Sequence, residues 1–257
     1  MTAPLLSDTA ERLLAARRDR RPIAPLGLDS IDAAYGVQLE QVEVWRAAGG
    51  RIAGYKVGLT SAAIQRQLGV DSPDFGHLLE DDFVLSGAPI SADRFIQPRV
   101  EPEIAFILGR DLAGPGVTAA DAVRAIDAAV ASLEIIDSRI ADWKISLTDT
   151  IADNASAGGV VLGSTPRSLD GVDLRLTGAV LRRNGRIAHT GAGAAVLGSP
   201  ISALVWLVNT LGALGTTIPA GSVVLPGAVT AAVSAAPGDI ITAEFAGLGS
   251  VTARFAG

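Results

Sequence analysis

The sequence predicts a mixed α/β fold, with a helical segment over residues 1–50 leading into a larger body over residues 51–257, built of short strands with flanking helices. Three observations lead there. Apolar residues recur at helical spacing up to Trp45, after which Gly49 and Gly50 stop the pattern. From Ile52 the period falls to two, as a pleated strand requires. Aromatics make up only 4% of residues against 29 glycines, so small and β-branched side chains must let backbone segments approach closely, which suits packed sheets. A chain of 257 residues, 49% of them hydrophobic, can bury a substantial core.

Taken in order, Asp8 with Glu11 reads as a capping pair for a first helix in which Ala10, Leu13, Leu14 and Arg17 follow helical spacing. Ser30 caps a second helix, with Ile31, Tyr35, Leu39, Val42 and Trp45 on one face. The strand beginning at Ile52 points Tyr55, Val57 and Leu59 one way and Lys56 and Gly58 the other. A short helix from Ser61 to about Leu68 follows. GVDSPDFGHLLEDD, rich in Asp, Pro and Gly, then reads as an ordered loop placed to cover a site. RVEPEIAFIL is a strand in which Pro102 denies one ladder bond and implies an edge or a bulge. Thr118 and Asp121 form a capping box for an alanine-rich helix running to about Val130, straight into the strand SLEIID. Further on, Asn184-Gly185 marks a tight hairpin and Ser199-Pro200 opens a helix. SVVL, DIITAEF and SVTARF read as antiparallel strands that close the sheet system.

Composition removes several classes of function. With 21 Lys and Arg against 27 Asp and Glu, the net charge of -6 has the wrong sign for neutralising phosphates, so no nucleic-acid partner is expected. The basic run Arg17, Arg18, Arg20 and Arg21 reads as a solvated helix end. MTAPLLSDTAERLLAARRDR lacks the features of a secretory signal. The most apolar helical stretch, Ile201 to Val208, is shorter than the roughly 20 residues a membrane span needs. A cytoplasmic protein without a membrane partner is expected. Cysteine is absent, which excludes disulfides, thiol nucleophiles and thiolate metal sites. His77 and His189 are the only histidines and read as structural, so a metal site must rely on carboxylates, the ligands of hard cations such as Mg2+ or Mn2+.

Glu101 and Glu103 leave the same face of their strand, with Cβ atoms roughly 7 Å apart. Two readings stand: a solvent-facing acidic row, or a pair that shares one cation. Glu134 shifts the balance, because it sits between Leu133 and Ile135, where an unpaired buried carboxylate would cost several kcal/mol. Converging carboxylates repel one another and a divalent ion reverses that penalty. Lys56 reads either as a surface lysine or, if desolvation depresses its pKa, as a proton-transfer or enolate-stabilising group. Asp74 reads either as a turn residue or as an acid or base.

The segments GYKVGLTSAAIQRQLGVDSPDFGHLL, RVEPEIAFILGRDL, LEIIDSRIADWKISLTDTIADNAS, AVLGSP and GLGSV run in this order from about residue 54 to the end. Together they resemble the 2-keto-4-pentenoate hydratase and 4-oxalocrotonate decarboxylase branch of the fumarylacetoacetate hydrolase superfamily. The resemblance implies a curved β-roll core, a divalent cation on Glu101, Glu103 and Glu134, and a catalytic site completed by Lys56 and Asp74, with Asp153, Asn154 and Ser156 beside it. It also implies a homo-oligomer acting on a small 2-oxo or 2-hydroxy dienoic acid, with a related decarboxylase or a downstream aldolase as companion. The chain departs from many relatives at Gly221-Ser222, Pro226-Gly227 and Ser199, positions expected to shape the distal pocket.

The activity so implied is hydration of 2-hydroxypenta-2,4-dienoate (2-keto-4-pentenoate) to 4-hydroxy-2-oxopentanoate in aromatic-compound degradation. The alternatives are a 4-oxalocrotonate (2-oxo-3-hexenedioate) decarboxylase and a non-catalytic assembly partner of one. A basic residue across the pocket from the metal would favour the decarboxylase, whose substrate carries a second carboxylate.

Overall fold

Capping side chains fix where the first two helices begin. The computed structural model describes residues 6–257, so the first five residues of the expected helical segment lie outside the described residues. α1 (Asp8–Asp19) is capped by Ser7, whose hydroxyl accepts from the Ala10 N–H at 3.2 Å. The cap is therefore one residue upstream of the expected Asp8, which instead lies with Glu11 in the first turn, where acidic groups complement the helix dipole. α2 (Ile31–Ala47) starts after Ser30, as expected. Its buried side is Ala34, Val37, Gln38, Gln41 and Val42, while Ile31 and Leu39 are 42% and 43% exposed. The expected apolar face is corrected because two glutamines replace it: Gln38 Nε2 donates to the carbonyls of Phe75 (3.0 Å) and Ile151 (2.7 Å), and Gln41 Nε2 to that of Ala152 (2.7 Å). Arg17 is not merely a solvated helix end. It pairs with Asp82 at 3.0 Å and lies 4.7 Å over the Trp45 ring.

The strands are β1 (Ile52–Gly58), β2 (Asp74–Leu79), β3 (Phe83–Leu85), β4 (Pro89–Ser91), β5 (Arg99–Leu108), β6 (Ile126–Ile136), β7 (Ala157–Leu162), β8 (Gly178–Arg183), β9 (Arg186–Ala192), β10 (Val223–Leu225), β11 (Val233–Ser234), β12 (Ile240–Phe245) and β13 (Gly249–Ala256). Helices α3 (Ala62–Leu68), α4 (Ala119–Ala125), α5 (Leu147–Ala152) and α6 (Pro200–Ala213) interrupt them. One sheet runs β2-β1-β10-β5-β6-β7-β3, with β11 on β5, and the other runs β4-β13-β12-β8-β9. Neither order returns to its start, so the expected closure is corrected to two open sheets. β10 also departs from the antiparallel expectation, since it pairs with β1 in parallel and with β5 antiparallel.

Two boundaries and the setting of one strand differ from the sequence reading, each for a physical reason. The Asp/Pro/Gly-rich stretch is a loop only as far as Pro73, because from Asp74 it becomes β2, paired antiparallel with β1. The alanine-rich helix ends at Ala125, and Ala128, Ala129 and Ala131 lie in β6, buried and paired with Ile107, Phe106 and Ile104 of β5. β5 is an interior strand despite Pro102. Its carbonyl accepts from the Val229 N–H at 3.0 Å, so the missing donor faces the irregular 226–232 segment rather than the regular β6 ladder. The Asn184-Gly185 hairpin and the Ser199-Pro200 helix start appear where expected.

The main core lies between the sheets, with Ile104 and Phe106 of β5, Leu133 of β6, Ala243 of β12 and Val251 of β13 in one cluster. Gly193–Ala213 is 21 residues with a most apolar window of mean hydropathy 1.6, long and apolar enough to cross a membrane by composition. Only 200–213 form α6, and its Ala203, Leu204, Leu207, Val208 and Leu211 are buried in the core. A second cluster joins Ala10, Leu13, Ala34 and Val37 of the N-terminal helices to Ile140, Ile151 and Ala152.

Candidate functional site

The pairing of β5 with β6 sets the register that assembles the acidic cluster. Glu101 lies directly opposite Glu134, and Glu103, two residues along the same face, lies opposite Ser132. One carboxylate oxygen from each of Glu101, Glu103 and Glu134 lies within 4.8 Å of the others. Glu103 and Glu134 are 0% and 1% exposed, so the solvent-facing row is not what forms. The Gly227 N–H donates to Glu103 Oε2 at 2.6 Å, while Glu103 Oε1 and both Glu134 oxygens accept no hydrogen bond.

Burial and mutual repulsion push these groups toward the protonated form. Desolvation, then Glu134, raises Glu101 to about 7, and Lys56 opposes the shift. Desolvation with Glu134 and Glu101 raises Glu103 well above the ordinary range. Desolvation also raises Glu134, with Lys56 opposing it. Unsatisfied oxygens on converging carboxylates form an all-oxygen donor set suited to a hard divalent cation.

Lys56 is 4% exposed, so it is no surface lysine. β1 holds it beside the triad, with Nζ donating to the Ala155 carbonyl at 2.7 Å and 3.2 Å from Glu134 Oε1, an ion pair without hydrogen-bond geometry. Burial alone would lower its pKa, but Glu134, Asp74, Glu101 and Glu103 outweigh burial and hold it above the ordinary value. The depressed pKa considered for Lys56 is thus reversed in direction. Asp74 opens β2 opposite Gly58, its Oδ2 accepting from Thr150 Oγ1 at 3.2 Å while Oδ1 is unpartnered. Burial raises its pKa, with Lys56 and Thr150 opposing. A Cβ on Gly58 would sit 2.1 Å from Asp74 Oδ1, so only glycine leaves room for that carboxylate.

Asn154, Ala155 and Ser156 all have φ in the left-handed region, at 52°, 50° and 56°, which costs roughly 1–2 kcal/mol each. Asn154 clamps the run to β2 by accepting from His77 N at 2.8 Å and donating to His77 O at 2.9 Å. Asp153 faces away and pairs with buried Arg139. Asp153 and Asn154 thus brace the backbone that offers the Ala155 carbonyl to Lys56. Ser156, with Lys56, Asp74 and Glu101, lines a cavity of about 610 Å³. His77, buried against Tyr55 and Phe75, is held neutral by desolvation, which lowers its pKa to about 4.

The sequence reading missed Arg99, which lines the same cavity. The period-two pattern that aligned Glu101 with Glu103 places Arg99 on that face too.

Residues 54–256 match the family described as Fumarylacetoacetate (FAA) hydrolase C-terminal, and the chain belongs to the fumarylacetoacetate hydrolase family. Its similar proteins include 2-keto-4-pentenoate hydratases. It is 46% identical over 260 residues to 2-keto-4-pentenoate hydratase 1 of Dechloromonas aromatica (strain RCB), covering 99% of each protein. It is 44% identical over 259 residues to 2-keto-4-pentenoate hydratase of Paraburkholderia xenovorans (strain LB400), covering 99% of this chain and 96% of that protein. Among solved structures, 4-oxalocrotonate decarboxylase from Pseudomonas putida G7, complexed with magnesium and adipate, superposes with a TM-score of 0.93 at 39% identity, covering 96% of this chain and 95% of that one.

Proposed function

We propose that this chain is a hydro-lyase that hydrates 2-hydroxypenta-2,4-dienoate to 4-hydroxy-2-oxopentanoate in the breakdown of aromatic compounds. The observation that carries the reading is the convergence of three glutamates within 4.8 Å beside a cavity shared by Lys56 and Asp74. The full-length similarity to 2-keto-4-pentenoate hydratases supports it.

Glu101, Glu103 and Glu134 would hold Mg2+ or Mn2+. When bound, the cation supplies Lewis-acid polarisation of the C2 oxygen of the substrate. Lys56 acts as a fixed ammonium that steadies negative charge developing on the substrate, since its carboxylate neighbours keep it protonated. Asp74, with Oδ1 unpartnered and a raised pKa, moves the proton between the substrate chain and the added water. The division into a helical segment (1–50) and a catalytic roll (51–257) belongs to the same reading, as do a cytoplasmic location and a homo-oligomer.

A 4-oxalocrotonate decarboxylase would need to place a second carboxylate away from the triad. Among the described residues, the basic side chains lining the cavity are Lys56 and Arg99, one beside Glu134 and the other two residues from Glu101. Ala228, Val229, Ala231, Ala232 and Ile145 elsewhere on the wall are apolar, which favours a monocarboxylic substrate.

The test is an ultraviolet assay of Mg2+-loaded protein with the dienol and 2-oxo-3-hexenedioate offered separately. Loss of dienol absorbance without carbon dioxide is expected. Carbon dioxide release from the diacid would replace the reading with decarboxylation, and silence with both despite metal binding would replace it with an assembly role. Glu134→Ala is expected to abolish both turnover and Mg2+ affinity while the fold remains, as followed by calorimetry and circular dichroism.

A further inference from the structure

The guanidinium of Arg99 is exceptional for a partly buried arginine of this chain. Arg17 pairs with Asp82 and Arg139 with Asp153, yet the Arg99 guanidinium makes no hydrogen bond or ion pair among the described residues. It rests on Trp143, its Cζ 4.4 Å from the ring centroid, and Trp143 is itself fixed by an Nε1 hydrogen bond to the Gln97 carbonyl at 3.1 Å. Asp142 and Trp143 both hold left-handed backbone, at φ 58° and 57°, so the ring is kept beneath the guanidinium at a conformational cost. The ring backs the guanidinium while its N–H groups have no partner among the described residues, which leaves the fork available for bidentate capture of a carboxylate.

Position and charge agree with this. Arg99, Glu101 and Glu103 follow one another along a single face of β5, so Arg99 is the next side chain outward from the triad. Glu101, Glu103, Glu134 and Asp74 outnumber the single lysine, Lys56, at this end of the cavity, so a basic side chain at the next position outward offsets the repulsion that an anionic acid would meet.

We propose that Arg99 is the docking group for the substrate's C1 carboxylate, holding it in a fork backed by Trp143 while the rest of the acid extends past Lys56 and Asp74. This rests on the proposed function only for the class of ligand, a 2-oxo or 2-hydroxy acid.

The test is calorimetric titration of Mg2+-loaded protein with 2-oxopentanoate, a saturated acid that cannot be hydrated, and with neutral 2-oxopentanamide. Arg99→Met is expected to weaken 2-oxopentanoate binding at least 20-fold, to flatten its dependence on ionic strength and to leave the amide's weaker binding with no comparable loss. Mg2+ affinity measured without the acid is expected to stay within threefold of wild type. Arg99→Lys, which keeps the charge without the fork, is expected to be intermediate. Unchanged acid affinity in either variant, or equal loss of Mg2+ affinity, overturns the assignment. If 2-oxopentanoate binds through Arg99 but the dienol is not hydrated, the proposed function falls and the docking role stands. If the loaded protein binds neither acid nor amide, both fall.

Discussion

A methyl group on residue 227 would meet Thr60 Oγ1 at 2.1 Å and Thr60 Cγ2 at 2.8 Å, and the φ of 126° there is one that side chains rarely adopt. The same residue donates its N–H to Glu103. Gly227→Ala is therefore expected to cost about 3 kcal/mol in urea unfolding and to weaken Mg2+ binding at least tenfold, because the donor that aims Glu103 must move. His77 gives a pH signature. Its pKa is lowered to about 4 in the fold against an ordinary 6.5, so below pH 6.5 the unfolded chain takes up a proton that the folded chain refuses. The neutral ring's contribution is complete above pH 6.5 and lost as pH falls toward 4. Between pH 7 and pH 5 wild type should lose about 2 kcal/mol more than His77→Gln, measured by urea unfolding at both pH values. At this scale Glu134 was legible, since apolar neighbours on both sides told of burial. Lys56 was singled out by the family resemblance rather than by its own pattern, and Arg99 was not singled out at all, because a lone basic residue in a strand reads as surface until its surroundings are known.

The elements that hold the site differ in how openly they announced themselves. β5 was evident from its alternation, and its pairing with β6 turned a spacing of two into a three-carboxylate cluster. β2 was hidden, since Asp74 and Gly76 have turn-forming chemistry. Gly76 is needed in the strand because a Cβ there would lie 2.5 Å from the Asn154 carbonyl oxygen. The alanines of β6 likewise have helical propensity that pairing with β5 and burial override. α2 was placed correctly but its inner face was not, because glutamine reads as polar and the two carbonyls it satisfies are 37 and 113 residues away. Gln38→Ala should cost about 2 kcal/mol by leaving the Phe75 and Ile151 carbonyls short of a donor. Because Phe75 adjoins Asp74, turnover should fall more than Mg2+ affinity does, read from kcat and from a separate metal titration.

For the molecule as a whole, the mixed α/β class followed from composition and period, but the strand order did not. Joining β10 to both β1 and β5 depends on contacts between distant parts of the chain that no local pattern encodes. Metal binding should have a global effect because the triad is buried and self-repelling. Mg2+ at 100 times its Kd is expected to stabilise the fold by about 2.7 kcal/mol, roughly 5–10 °C in Tm for a chain of this size, and a chelator should reverse the shift in a calorimetric scan. Glu134→Ala should show no such response.

The three glutamates stand on the most extensively laddered pair of strands, whereas much of the wall around the cavity comes from the irregular stretch after β10 and the turns following β1. Substitutions at residues 228–232 would therefore redraw the cavity's outline without altering the β5–β6 register that aligns the three carboxylates.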